Sequence, residues 1–134
     1  MKFIGSLTLL SILTFFIACG QPSYQQGAAL YDKHCAGCHM EEGQGLGALY
    51  PPLANSDWLK NDPMAAACAI RYGLEGEIVV NDTIYNQPML AIIDLSEVQI
   101  VNIINYINQA WGNDYGTITV GEVKTALEEC RKDG

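Results

Sequence analysis

The chain has 134 residues, 49% of them hydrophobic, and a formal charge of −8 at pH 7, which is one domain's worth of protein with a short tail. Seven Lys or Arg stand against fifteen Asp or Glu, which argues against nucleic-acid binding and against electrostatic attachment to anionic lipid. The balance suits a protein partner with a basic docking face.

The first eighteen residues read as a secretory signal: Lys2 supplies one positive charge, and an almost wholly apolar stretch from Phe3 ends at Ala18. That stretch is short for a stable membrane span and runs into a Gly/Gln/Pro/Ser segment. Losing Lys2 on export takes the charge to about −9. Phe16-Ile17-Ala18-Cys19 resembles the lipobox of bacterial lipoproteins, in which the cysteine becomes the lipid-bearing first residue; the competing reading is plain signal cleavage near Ala18. Acyl chains on Cys19 would hold the protein at a bilayer, since each buried methylene contributes roughly 0.8 kcal/mol. Residues 19–26 then form the tether, the stretch from Gly20 to Gln26 reaching at most ~25 Å when extended, and the expected location is an exported domain on the periplasmic or outer face of a bacterial membrane.

Residues 23–39 read as a first helix, with Gly27 offering a place for close approach and Ala28, Leu30 and Tyr31 apolar. Residues 41–56 are rich in Gly and Pro, have no helical period and read as a loop. Asp62-Pro63 opens a second helix, as N-cap and first helical residue, that should stop at Gly73. Residues 78–85 suggest a small hairpin about Asn81-Asp82. Ser96 with Gln99 forms a capping box, Leu95 and Ile100 a staple, and Ile100, Ile103, Ile104, Ile107 and Trp111 one apolar stripe. The same grammar returns with Thr119 and Glu122, the Ile118–Val123 staple and a stripe through Ala126, Leu127 and Cys130. The expected fold is mostly α: a domain over residues 27–113 followed by a helical extension over 114–134. Loops this long in so small a domain call for a function or a filler.

Cys35-Ala36-Gly37-Cys38-His39 is the attachment pattern for a c-type haem. On a helix, positions three and four apart share a face. Two thiols therefore meet the two vinyl groups along one porphyrin edge, and His39 ligates the iron from below. A redox-active disulfide would want an α/β pattern. Zinc would want further ligands, yet the chain has only His34 and His39, and its other cysteines are scattered.

Iron held by His39 needs a sixth ligand, and methionine gives an electron-transfer site. Met40 follows the histidine directly and cannot reach the opposite face. Met64 lies in the first turn of a helix, where core packing is its usual task. Met89, in Asn86-Gln87-Pro88-Met89, sits in an irregular segment and is the favoured ligand, ahead of Met64, His34 or an open site. Cys68 and Cys130 either form a disulfide or stand as two buried thiols; sequence does not decide whether their Cα atoms come within ~7 Å.

These residues resemble the single-haem, soluble-type cytochromes c. The likeness covers roughly residues 25–113: Gly27 and Tyr31, the CxxCH motif, Tyr50-Pro51-Pro52-Leu53-Ala54, Arg71-Tyr72-Gly73-Leu74, Met89, and Asn105-Tyr106-Ile107. The resemblance implies a cytochrome c fold of three core helices around one covalent haem c, with first and last core helices crossing at Gly27 and Tyr106. It implies that the Pro51 carbonyl accepts from the other ring nitrogen of His39, fixing the ring. Trp58 and Arg71 are candidates for the haem propionates. Pro88 precedes Met89, where many members have the proline after the ligand. The expected function is one-electron transfer with no small-molecule substrate, between a quinol-oxidising donor complex and a terminal oxidase or reductase. The alternatives are a fixed haem subunit of a respiratory complex and a gas- or peroxide-binding haem protein.

Overall fold

Caps written into the sequence start three of the helices. The Ser96 hydroxyl accepts from the Gln99 amide at 3.3 Å while the Gln99 side chain accepts from the Ser96 amide at 2.8 Å, closing two donors that a helix start leaves open. The Asp62 carboxylate accepts from the amides of Met64 (3.1 Å) and Ala65 (3.0 Å), with Pro63 at the first helical position. Thr119 and Glu122 repeat the box, at 2.7 Å and 3.3 Å. In the computed structural model, which describes residues 22–133, these signals lie within the order α1 (Pro22–His34), α2 (Ala36–His39), α3 (Asp57–Asn61), α4 (Pro63–Tyr72), β1 (Ile78–Val80), β2 (Thr83–Tyr85), α5 (Glu97–Gln109) and α6 (Val120–Asp133). The fold is mostly α. The signal segment and Cys19 lie outside the described residues. Among those described, no helix is long and apolar enough to cross a membrane.

The core forms where α1 crosses α5. At Gly27 an added Cβ would lie 2.7 Å from the Tyr106 Cβ and nearer still to the Asn102 carbonyl oxygen, so only glycine allows the approach. Ile100 and Ile103 are fully buried beneath the crossing, and Ile104 nearly so. Tyr24, Tyr31, Tyr106 and Trp111 pack around it, ring centroids 5.0–5.4 Å apart, tilted or edge-on as aromatic quadrupoles prefer.

The two strands pair antiparallel, Val80 with Thr83, and Asn81 (φ +50°) and Asp82 (φ +60°) make the turn, the left-handed pair that a two-residue hairpin needs. α6 lies against α4 and α5 through Val123 (0% exposed), Ala126 and Leu127. The Tyr72 hydroxyl donates to the Leu127 carbonyl at 3.0 Å. Asn105 bonds Ile118 twice, donating to its carbonyl (2.9 Å) and accepting from its amide (2.7 Å). Cys68 of α4 and Cys130 of α6 are bonded, Cα atoms 6.1 Å apart.

Three expectations need correction, and one element was not expected. Residues 23–26 were expected both as the end of the tether and as the start of the first helix; the helix reading holds, α1 beginning at Pro22, which suits a first helical position, and the Asn102 side chain donating to Gln26 at 3.1 Å. The helix expected over 23–39 breaks at Cys35. The short α3 escaped notice; its cap is Ser56, whose hydroxyl accepts from the Leu59 amide at 3.3 Å. Trp111 lies beyond α5, not on it: Trp111 (φ +53°) and Gly112 (φ +85°) turn the chain out of the helix.

Candidate functional site

The break at Cys35 shapes the site. The Cys35 amide still donates to the Tyr31 carbonyl (2.8 Å), and its own carbonyl accepts from Cys38 (3.1 Å) and His39 (2.9 Å). The result is one tight turn that ends at Met40, with φ +64°. Tyr31, 2% exposed, donates from its hydroxyl to the Met40 carbonyl at 2.6 Å and pins the far side of that turn. Burial raises the Tyr31 phenol, with Cys35 and Tyr106 adding to it, so the hydroxyl keeps its proton. Cys35 is buried and Cys38 exposed. Burial, then the neighbouring Cys38, pushes the Cys35 thiol up to about 12.

The loop after the turn folds back onto it. Gly43 accepts from Leu53 (2.7 Å) and Ala54 (2.9 Å), and the Gly45 amide donates to the His39 carbonyl at 3.0 Å. Gly45 sits at φ +69°, and a Cβ there would lie 2.7 Å from the Pro51 carbonyl carbon. This folding brings the Pro51 carbonyl to 2.9 Å from His39 Nδ1. A carbonyl only accepts, so Nδ1 carries the proton and Nε2 keeps its lone pair. Burial holds the His39 ring below its usual value, against the opposing pull of Pro51. A neutral imidazole with one nitrogen anchored is the form that binds a metal.

His39 faces an apolar cavity partly open to solvent. Cys35 lines it beside His39. Pro51, Pro52 and Leu53 form one wall, Ala66, Ala69 and Ile70 of α4 another, and Leu74, Ile78 and Val80 a third; Met89 and Trp58 also line it. The hairpin turns Ile78 and Val80 inward and leaves Val79 (55% exposed) outside. Sequence reasoning did not find that wall: Ile78-Val79-Val80 is apolar throughout, and only strand geometry decides which of the three faces inward. The residues present suit a flat apolar macrocycle with one iron. The walls are apolar, a thiol and a neutral imidazole share one turn with a second thiol at its surface, and a soft thioether shares the cavity.

The remaining candidates fall elsewhere. Met64 packs against the core and lines a groove beside α6, and His34 ends α1. Arg71 does not line the cavity; its guanidinium donates to the carbonyls of Ile93 and Leu95.

A family model described as cytochrome c matches residues 24–111. A cytochrome c-552 of Thermus thermophilus is 31% identical over 107 residues, 77% of this chain and 72% of that protein. A second Thermus thermophilus cytochrome c-552 is 35% identical over 91 residues, 65% of this chain and 69% of that protein. The cytochrome c subunit of a quinone alcohol dehydrogenase from Gluconobacter oxydans is 28% identical over 102 residues, 73% of this chain and 21% of that protein.

Proposed function

The chain belongs to the cytochrome c family of electron-transfer proteins with covalently bound haem c, and from that premise we propose that it is a membrane-tethered one-electron carrier with His39 and Met89 as axial ligands. One observation carries the reading: an anchored, neutral His39 and the thioether of Met89 line the same apolar cavity. When bound, haem c supplies the one-electron couple of its iron. Cys35 and Cys38 would hold the group as thioethers, and the Pro51 carbonyl holds the His39 ring in one orientation. Met89 fills the position that a small molecule would otherwise take. The apolar walls exclude water and give little to solvate added charge, which favours the reduced state. A carrier needs this constancy, because ligands that move on oxidation slow the transfer.

The test is a visible spectrum of the reduced protein with and without carbon monoxide. The expected result is a low-spin spectrum unchanged by the gas, with Met89→Ala opening the site to it. Rapid gas binding by the parent protein would overturn six-coordination, and a parental spectrum in Met89→Ala would discard Met89.

Phe16-Ile17-Ala18-Cys19 supports a lipid anchor at Cys19, residues 1–18 being its signal, and Cys19→Ala should release the protein from the membrane fraction. The donor and acceptor proposed are a quinol-oxidising complex and a terminal oxidase or reductase. A second reading, a fixed subunit of a larger redox complex, is favoured by α6, which lies beyond the residues the family model matches, and by the dehydrogenase subunits among the relatives. Co-purification of a stoichiometric partner separates the two.

A further inference from the structure

Met89 sits in a segment without regular structure, so its thioether stays in place only if its backbone is held. The hold comes from the C-terminal end of α4. Leu74 and Met89 exchange both backbone hydrogen bonds at 2.9 Å, and the Ile92 amide donates to the Ile70 carbonyl at 2.8 Å. Gly73 (φ +80°) lets the Met89 carbonyl come so near that a Cβ would lie 2.7 Å from it. Further along, one side chain takes over. Arg71 donates from one guanidinium nitrogen to the Ile93 carbonyl at 2.7 Å and from the other to the Leu95 carbonyl at 2.5 Å. Leu95 is 4% exposed and abuts the cap of α5, whereas the Ile93 side chain is 71% exposed and gains no hold from packing.

We propose that Arg71 is a positioning residue for the sixth ligand, its planar fork clamping residues 93 and 95 so that Met89 stays in the cavity. The proposal rests on Met89 being that ligand. The fork matters because it spans two carbonyls at once. A lysine is a single flexible point charge and satisfies one carbonyl at a time. Arg71 also occupies the last turn of α4, where any cation interacts favourably with the helix dipole. A loss of stability alone therefore says nothing about positioning.

The discriminating readout is imidazole binding to the ferric holoprotein, which reports how often Met89 leaves, since apparent affinity scales with the fraction of open site. Arg71→Met should bind imidazole about tenfold or more tightly than the parent, and Arg71→Lys should fall between them. Val123→Ala, at a fully buried position of α6, should lower stability and leave imidazole affinity at the parental value. Unchanged affinity in Arg71→Met, or an equal gain in Val123→Ala, overturns the proposal. If Arg71→Met does not fold, Arg71→Lys decides: parental affinity refutes, and a several-fold gain supports. Met89→Ala separates the premise from the proposal. Tight imidazole binding there beside parental binding in Arg71→Met condemns the clamp alone, whereas parental binding in Met89→Ala removes the ligand assignment and the clamp with it.

Discussion

Replacing Gly27 by alanine sets two calculable effects against each other. Alanine is the better helix former by about 0.8–1.0 kcal/mol, so on local grounds Gly27→Ala should stabilise α1. The crossing reverses the sign. The new Cβ would lie 2.7 Å from the Tyr106 Cβ, where unstrained carbon contacts need about 3.5–4.0 Å. The still nearer Asn102 oxygen is main chain and cannot swing aside. α1 must therefore retreat by roughly 1 Å, loosening the packing over Tyr31, Ile100 and Ile103. Overpacking of this kind costs about 1–3 kcal/mol, and an obstructing backbone puts this case at the upper end. The net expectation is a loss of about 2 kcal/mol, read as a lower guanidinium midpoint for the holoprotein by far-ultraviolet circular dichroism. Gly121→Ala on α6 is the control: its nearest neighbour would be Thr119 Oγ1 at 3.9 Å, so it should hold stability or gain up to about 1 kcal/mol. A Gly27→Ala protein as stable as the parent would refute the reasoning, because local propensity would then outweigh the crossing.

Two further outcomes test the extension. Cys68 and Cys130 are 62 residues apart in sequence, a loop whose closure is worth about 4 kcal/mol as an upper figure in the chain-entropy view. Changing both to serine should cost about 2–4 kcal/mol, measured by denaturant unfolding; alkylation of both cysteines in unreduced, unfolded parent protein would show that no bond exists. Hydrogen bonds from the Thr119 hydroxyl and amide hold the Glu122 carboxyl below its usual value, so its stabilisation is present above the ordinary carboxylate range and lost as pH falls through the depressed value. The gap in melting temperature between the parent and Glu122→Gln should therefore be widest near neutrality and close in acid, and a gap independent of pH would exclude that role.

What the residues alone disclosed shares one property, that its partners lie within about four residues; the Gly27–Tyr106 crossing and the Pro51–His39 bond came through the family resemblance. The capping boxes at Ser96 and Thr119, the Asp62-Pro63 start, the Asn81-Asp82 turn and the Cys35–His39 motif each close locally, so order along the chain is nearly order in space. The same range limit explains the misses. Cys35 interrupts the first helix because the chain must turn back at Met40, and Met40 is held by Tyr31 from nine residues upstream. Trp111 reads as helical by periodicity, yet it belongs to the aromatic cluster over the α1–α5 crossing. The acceptors of Arg71, the carbonyls of Ile93 and Leu95, lie more than twenty residues on.

The chemistry of the site, two thiols beside an imidazole, was therefore determined by the sequence alone, because covalent spacing along one turn defines it. What holds the Met89 segment and whether Cys68 meets Cys130 were decided only by tertiary structure, which also brings into the cavity the Met89 that the sequence favoured and to the His39 ring the Pro51 carbonyl that the family resemblance implied. Each depends on chain segments at least twelve residues apart being brought together by burial of the apolar faces of α1, α4 and α5, a collective effect that no local pattern encodes.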